Sequence, residues 1–378
     1  RGVVQRYVSR PLLLHGRKFD LRLYVVVTSY DPLKVYLNSE GLVRLATEEY
    51  SDAAGTLKRR KMHLTNYSVN KWSRGYVKNN DAARGQESDG GEESGEDEQL
   101  GVGTQDEMPG LDSEEDEDPD AEDLDPPGRD QRHNSAEFTP ASKWSMRQLE
   151  EHFQANRMDF GGMMARIKDV IVKAIIAVEP PIVSAWHQGA SFRGSAFSES
   201  QKSLARPLGP AQTCFEIYGF DVIVDEDFRP WLLEVNICPS LSSSSPLDKR
   251  IKTKLIADTL TLVGFQPPFA EEATMAGSLC QKSHTVKTLG QGNLRDLGEA
   301  EWATILEAHD EFMRRGSLER IFPTKGTWSS YGDLFETARY ANAVLAKWLA
   351  QGGEKVFLPG NDHLRPPWVP EQCFFEPG

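Results

Sequence analysis

The stretch YGFDVIVDEDFRPWLLEVNICPSL, Tyr218–Leu241, decides how the chain reads. Two apolar runs flank a turn at 225–230, and three polar residues interrupt them: Asp221, Glu234 and Asn236. Taken as antiparallel strands with Val224 opposite Trp231, the runs set Asp221 opposite Glu234. Cross-strand partners share a face of a sheet. Asn236, two residues beyond Glu234, shares that face as well. Phe220, Val222, Leu233 and Val235 are expected to fill the other face. Two facing carboxylates repel, and each loses hydration on burial unless a cation sits between them. Carboxylates, an amide oxygen and phosphates together suit Mg²⁺. A half-exposed hairpin whose polar face meets water is the plainer alternative, and Asp221 and Glu234 alone do not separate the two.

Outward from this hairpin, residues 3–8 (VVQRYV) and 19–29 (FDLRLYVVVTS) have strand composition. Residues 34–47 read as a hairpin turning at Asn38-Ser39-Glu40-Gly41. Helices are expected near Trp144–Phe153 and Met163–Val178, the second with Met163, Ile167, Val170, Ile171, Ala174 and Ile175 at helical spacing. A third starts at SPLD, with Ser245 as cap, Pro246 in the first turn and Asp248 as a capping-box acid, and ends at Gly264. Capping also accounts for Ser245 without a phosphate loop at Ser242–Ser245. From Glu299 onward the pattern is helical, with Trp302, Ile305, Leu306, Leu334, Tyr340, Val344 and Trp348 as packing residues. Residues 187–213 read as a flexible loop.

The net charge of −14 is unevenly spread. Nineteen acidic residues and no Lys or Arg lie between Glu87 and Asp125; without them the remainder is at about +5. Residues 79–142 hold almost no aromatic side chain and cannot bury enough apolar surface to offset chain entropy, so a disordered acidic insertion is expected there. It is either a solvated loop or a substrate mimic for a basic groove. Residues 1–84 carry 16 Lys and Arg against 7 Asp and Glu, and Lys58-Arg59-Arg60-Lys61 is the densest run. A basic lobe suits a polyanionic partner, though an ordinary solvated face reads the same way. No run of about 18 apolar residues exists, so no spanning helix is expected. Four cysteines without CxxC spacing argue against zinc and a disulfide framework.

KFDLR (Lys18–Arg22), HLTNYS (His63–Ser68), GFD (Gly219–Asp221) and LEVNICPSL (Leu233–Leu241), in this order, resemble the tubulin–tyrosine ligase-like family. SSSPLDKRIK and HDEFMRRGSLERIFP (His309–Pro323) resemble its polyglutamylase branch, closest to the type-4 and type-5 enzymes. The resemblance implies an α/β (α+β) fold of ATP-grasp type, with the ligase core in 1–78 and 143–268 and a helical C-terminal extension over 269–378. It implies that Asp221, Glu234 and Asn236 hold Mg²⁺ on ATP. Gln5, Tyr7 and Val8 would line the adenine pocket, and Lys18 and Asp20 would contact the nucleotide. Arg22 and Arg44 would face the reacting carboxylate and phosphoryl group, with Thr65 and Asn66 beside them. Strand alternation puts Lys18, Asp20 and Arg22 on one face, which favours a shared lining over scattered surface charges. His63 is expected to be a hydrogen-bonding structural residue rather than a base.

The implied reaction joins glutamate to glutamate side chains in the acidic tails of tubulin. The acceptor carboxylate is first phosphorylated; the amine of the incoming glutamate then displaces phosphate from the acylphosphate. Such transfer needs positioning and charge neutralisation more than a protein nucleophile. Arginine suits both carboxylate and phosphate through its planar fork. Cytoplasmic microtubules, with a cilium or basal body as one setting, are the implied location. Residues Glu301–Ala350 carry 6 Lys and Arg against 7 Asp and Glu, so no cationic microtubule-binding helix stands out there. Family members also carry residues before the VVQRYV strand that contribute nucleotide contacts. The chain by itself is therefore expected to bind ATP poorly and turn over slowly. Glycine or tyrosine ligases share the same motifs. A non-catalytic tubulin-binding module would be expected to lose one of Asp221, Glu234 and Asn236. A nucleic-acid binder would need an aromatic platform interleaved with basic residues, which is absent from the sequence. A small-molecule ligase would leave HLTNYS and the C-terminal helices without purpose.

Overall fold

The computed structural model describes residues 4–79, 140–195, 214–264 and 292–369. The chain divides into one unit of Arg1–Ala82 with Pro140–Gly378 and a second of Ala83–Thr139. Most of the expected acidic insertion, 79–142, lies outside the described residues. Its two ends are ordered and adjacent: Ser142 N donates to Val77 O at 2.9 Å, and the buried Asn79 amide donates to Lys143 O at 2.9 Å. The chain therefore leaves and re-enters the first unit at one place, so a long insertion there adds only a slowly growing closure entropy.

The first unit is built on an antiparallel sheet. Its strands are β1 (Leu13–Leu14), β2 (Arg17–Tyr30), β3 (Leu33–Leu45), β4 (Lys143–Ser145), β5 (Glu216–Val224), β6 (Pro230–Asn236) and β7 (Leu318–Phe322). The order is β4-β3-β2-β5-β6, with β1 also on β2 and β7 also on β3. Its helices include α1 (Met146–Ala155), α2 (Phe160–Ser195), α3 (Pro246–Val263), α4 (Glu299–Met313) and α5 (Tyr340–Ala350).

The long strand β2 is buried on both faces, and its alternation sorts two cores. Leu21, Leu23, Val25 and Val27 join Phe220 and Val222 of β5 beneath α1 and α2, where Phe153, Met163, Ile167, Ile171 and Ile175 pack. Tyr24 and Val26 pack on the other face against Leu247, Ile251 and Leu255 of α3. A third cluster, centred on Trp302, Ile305, Val344, Trp348 and Phe357, joins α4 to α5. Burying such side chains contributes roughly 1.5–3 kcal/mol each.

Several expectations are corrected. Residues 4–8 form no strand, and Val4 is almost fully exposed. The turn expected at Asn38–Gly41 is a bulge inside β3: Leu23 pairs with Gly41 and Val25 with Leu37. The chain reverses instead at Asp31-Pro32, between β2 and β3. The bulge separates two partners on the same edge of β3, with β7 along Val35–Asn38 and β4 along Leu42–Arg44. Glycine is needed there because a Cβ on Gly41 would lie 2.7 Å from Arg22 O. Helix α2 runs through Ser195, into the 187–213 stretch read as a loop; residues 196–213 lie outside the described residues. The C-terminal extension is not purely helical, since it supplies β7 to the central sheet. Leu334, expected to pack, is half exposed. Leu233 and Val235 do not fill a core face; both are exposed on β6, the last strand of the sheet order. In α3, Ser245 Oγ accepts from Asp248 N at 3.2 Å as expected of a cap. The Asp248 carboxylate does not complete a capping box, because it accepts instead from Lys143 Nζ at 2.8 Å and Ser244 Oγ at 2.6 Å.

Candidate active site

The sheet register assembles the site. Asp20 of β2 lies opposite Arg44 of β3, and Arg22 of β2 lies opposite Asp221 of β5. Each pair shares a face, so both become ion pairs. Arg44 donates through Nε and Nη2 to Asp20 at 2.7 and 2.6 Å. Arg22 donates through Nε and Nη2 to Asp221 at 2.5 and 2.9 Å. Arg44 Nη2 also reaches Asp221 Oδ2 at 2.9 Å, which joins the two pairs into one network. Thr65 Oγ1 closes it by donating to Asp20 Oδ2 at 2.7 Å.

Electrostatics follow from this geometry. Burial pushes the Asp221 carboxyl up, but the Arg22 hydrogen bonds and the Arg44 charge outweigh it, and the group sits below the usual carboxylate range. Burial works against the Arg44 cation, yet Asp20 and Asp221 hold it further in its charged form. Lys18 makes no ion pair among the described residues; its ammonium lies 3.2 Å from Tyr7 Oη and 4.4 Å from the ring centre. Burial lowers it to about 8, with Asp20 offsetting part of the effect.

Asp221 pairs with Glu234 as the sequence suggested, though by a different route. Val224 lies opposite Pro230 and Ile223 opposite Trp231, and a bulge after Asp221 restores the expected pairing. Asp221 is already compensated, because both its oxygens accept from guanidinium groups. A metal is therefore not needed to separate the two carboxylates. Glu234 makes no ion pair among the described residues; its Oε1 accepts from Asn236 Nδ2 at 3.3 Å. Asn236 Nδ2 also lies 3.3 Å from Gly219 O, and the amide oxygen takes part in neither bond. Glu234 and Asn236 thus present hard oxygen donors that fit Mg²⁺. Asp221 has one acceptor site left, on Oδ1, beyond its guanidinium contacts. No cluster of three His, Cys, Asp or Glu side chains suited to a metal occurs among the described residues.

These groups surround a cavity of about 440 Å³, within the range of small-molecule and nucleotide sites. Ten of the twelve sequence-predicted residues line it: Gln5, Tyr7, Val8, Lys18, Asp20, Arg44, Thr65, Asn66, Asp221 and Glu234. Arg22 and Asn236 do not, and stand behind Asp221 and Glu234 respectively. Gln5–Val8 line the cavity without joining the sheet; Gln5 Nε2 donates to Leu233 O at 3.3 Å. Ile223, Leu64 and Leu233 supply apolar lining. His63 also lines the cavity, with its ring held by hydrogen bonds on both nitrogens. One ring nitrogen bonds Tyr7 Oη at 2.8 Å and the other Thr56 O at 3.0 Å.

The sequence reading did not assign Arg6, which lines the cavity, nor Lys143 and Lys252 nearby, and it gave Asp248 only a capping role. Lys143, Asp248 and Lys252 are all buried, and Lys252 lies within electrostatic reach of Arg22. The i, i+4 spacing of Asp248 and Lys252 on α3 was a usable signal for a shared helix face.

A model of the Tubulin-tyrosine ligase family matches residues 1–97 and 129–274. The chain belongs to the tubulin-tyrosine ligase family. Among curated relatives of this family, the human tubulin monoglutamylase TTLL4 is 33% identical over 96% of this chain and 27% of its own length. The mouse tubulin polyglutamylase TTLL5 is 32% identical over 92% of this chain and 23% of its own length. The tubulin polyglutamylase ttll-4 of Caenorhabditis elegans is 30% identical over 92% of this chain and 48% of its own length. The chain thus spans about a quarter to a half of these tubulin-tyrosine ligase family relatives.

Proposed function

We propose that this chain carries the nucleotide and acceptor site of an ATP-dependent ligase that adds glutamate to glutamate side chains in the acidic tails of tubulin. The observation that carries the reading is the cavity lined by the Arg44 guanidinium, the Lys18 ammonium and the Glu234 carboxylate, which makes no ion pair among the described residues. The relatives' names support tubulin as the protein modified and glutamate as the group added.

Mg·ATP, when bound, supplies the phosphoryl group that activates an acceptor carboxylate. Glu234 and Asn236 would hold the metal, with the remaining acceptor site of Asp221 Oδ1 available as a third donor. Lys18 offers a positive charge to a phosphate, and Arg44 a second one fixed in direction by Asp20. Arg22 keeps Asp221 ionised and thereby keeps Arg44 aimed. Fixed donors of this kind stabilise developing charge without reorganising at the moment of reaction. Tyr7, Val8, Ile223 and Leu233 give the base an apolar wall. The exposed Arg59–Arg60 run borders the same segment as Leu64 and Thr65, so an acidic tail would be drawn toward the cavity by a salt-sensitive attraction. Cytoplasmic microtubules, in cilia or elsewhere, are the setting this reading implies. No helix among the described residues is long and apolar enough to cross a membrane.

The test is direct. The full-length protein is incubated with tubulin, ATP and Mg²⁺ plus labelled glutamate, glycine or tyrosine in separate reactions, alongside Glu234→Gln. Incorporation of glutamate alone, lost in the variant, is the expected result. Incorporation of glycine or tyrosine instead would reassign the amino acid within the same family. Equal labelling by Glu234→Gln would remove Glu234 from the site.

A further inference from the structure

Four lysines are buried among the described residues: Lys18, Lys34, Lys143 and Lys252. Lys34 is paired with Glu311 at 2.6 Å and Lys143 with Asp248 at 2.8 Å. The other two make no ion pair within the described residues. Lys18 faces the cavity, where a nucleotide phosphate is its proposed partner. Lys252 does not line that cavity. Its ammonium donates to the backbone oxygen of Ser242, a neutral acceptor. Lys143 and Arg22 lie close enough to repel it, and Asp248 is the one carboxylate acting on it among the described residues. That carboxylate is already bonded to Lys143, so one anion serves two ammonium groups. A buried ammonium short of a counter-ion is costly, and an arriving anion relieves the cost.

A second, independent observation points the same way. The Tyr24 hydroxyl is wholly buried and has no hydrogen-bond partner among the described residues. It lies within electrostatic reach of Arg22 and Asp248. An unused O–H donor acted on by the same Arg22 and Asp248 charges as the under-compensated Lys252 calls for an acceptor with negative charge. The loop above, Ser240–Ser244, is exposed, and the Ser240 and Ser242 hydroxyls bond each other at 2.7 Å. Those hydroxyls are free to turn toward an incoming group.

We propose that Lys252, supported by Arg22 and Tyr24 under the Ser240–Ser244 loop, forms the subsite for a carboxylate of the incoming amino acid. This rests on the ligase reading above and adds to it the position of the second substrate. A nucleotide phosphate fits less well, because Lys252 stands outside the cavity that Lys18 shares with Glu234. The α-carboxylate and the side-chain carboxylate of glutamate are the two sources of this chemistry.

In the full-length protein, Lys252→Met is expected to raise the KM for glutamate about 10- to 100-fold, the loss of one charge-assisted hydrogen bond. The KM for ATP should stay within about twofold. Lys252→Arg should restore most of the affinity. Glutamine as a competitor separates the sources: lost discrimination between glutamate and glutamine assigns the side-chain carboxylate, and equal weakening of both assigns the α-carboxylate. A parallel rise in both KM values, or no change in either, overturns the subsite. Should Lys252→Met fail to fold, the wild-type protein gives a second readout. Glutamate should slow modification of Lys252 by an amine-directed reagent, measured by mass spectrometry. An active wild type whose Lys252 is unprotected refutes the subsite alone; a wild type that incorporates no amino acid refutes the ligase reading itself.

Discussion

Arg44→Met probes the network at its junction. The guanidinium makes two contacts to Asp20, at 2.7 and 2.6 Å, and a third to Asp221 at 2.9 Å. Methionine fills a similar volume but leaves Asp20 with only the Thr65 hydroxyl at 2.7 Å. Asp221 keeps both contacts from Arg22. One buried carboxylate therefore loses its guanidinium, a change that costs about 3–5 kcal/mol. For a domain of this size that lowers Tm by roughly 6–20 °C. The pH dependence has a defined sign. The Asp221 pKa is depressed in the folded state, so its contribution is present above the unfolded value of about 3.9 and is lost as pH falls through the folded value. Removing Arg44 lessens that depression, so the gap between wild type and variant should narrow below about pH 4. Urea and thermal unfolding at pH 7 and pH 3 read both effects. Adding Asp20→Asn to Arg44→Met should return at least about 1 kcal/mol, because it discharges the orphaned group. A penalty below about 1 kcal/mol at pH 7, or one equal at both pH values, would refute the network as described.

Gly41→Ala is expected to cost about 1–3 kcal/mol in urea unfolding, since its Cβ would meet Arg22 O at 2.7 Å and push β2 away from β3. Lys34→Met should cost about 3–5 kcal/mol, because it strands Glu311 in the buried contact between α4 and the sheet; Lys34→Met/Glu311→Leu should recover most of that loss. Mg·ATP affinity should weaken as pH rises through about 8, where Lys18 loses its proton, and Lys18→Met should flatten that profile in a fluorescent-nucleotide titration. Glu234→Gln should change stability by less than about 0.5 kcal/mol while removing ligation, because the side chain is exposed and makes no ion pair among the described residues.

Much of the fold and site was legible because local patterns coincide with the register. Period-two alternation put Lys18, Asp20 and Arg22 on one side of β2, and the structure keeps them there, with the apolar Tyr24 and Val26 continuing the same side and Leu21, Leu23, Val25 and Val27 on the other. The pairing of Asp221 with Glu234 was also readable, although a compensating bulge lies between it and Val224–Pro230. What failed depended on partners far away in sequence. Asn38-Ser39-Glu40-Gly41 has turn composition, yet β4 and β7 both seek the edge of β3, and a bulge accommodates them where a reversal would not. Strand β7 is short and embedded among helical residues, so its pairing with β3 has no local signal. Lys143 and Lys252 become neighbours only when α3 packs across the sheet.

The carboxylates inside these strands raise the question of what they do for the reaction, and the register suggests a division of labour. Asp20 and Asp221 do not balance each other through a metal; each fixes an arginine on the adjacent strand. Arg22, Arg44 and Lys18 carry three positive charges against two from these aspartates, so the inner network retains one net positive charge. A single charge is too little for a nucleotide triphosphate. Arg6 also lines the cavity, and under the proposed ligase reading Glu234, which makes no ion pair among the described residues, holds the cation that supplies the rest. Under this reading, exchanging Asp221 and Glu234 for their amides should have opposite signatures. Asp221→Asn should loosen both arginines and lower stability with ligation. Glu234→Gln should leave the fold intact and shift the Mg²⁺ concentration needed for nucleotide binding upward. If both variants lose stability equally, or if the Mg²⁺ requirement moves only in Asp221→Asn, the two carboxylates do not divide the work in this way.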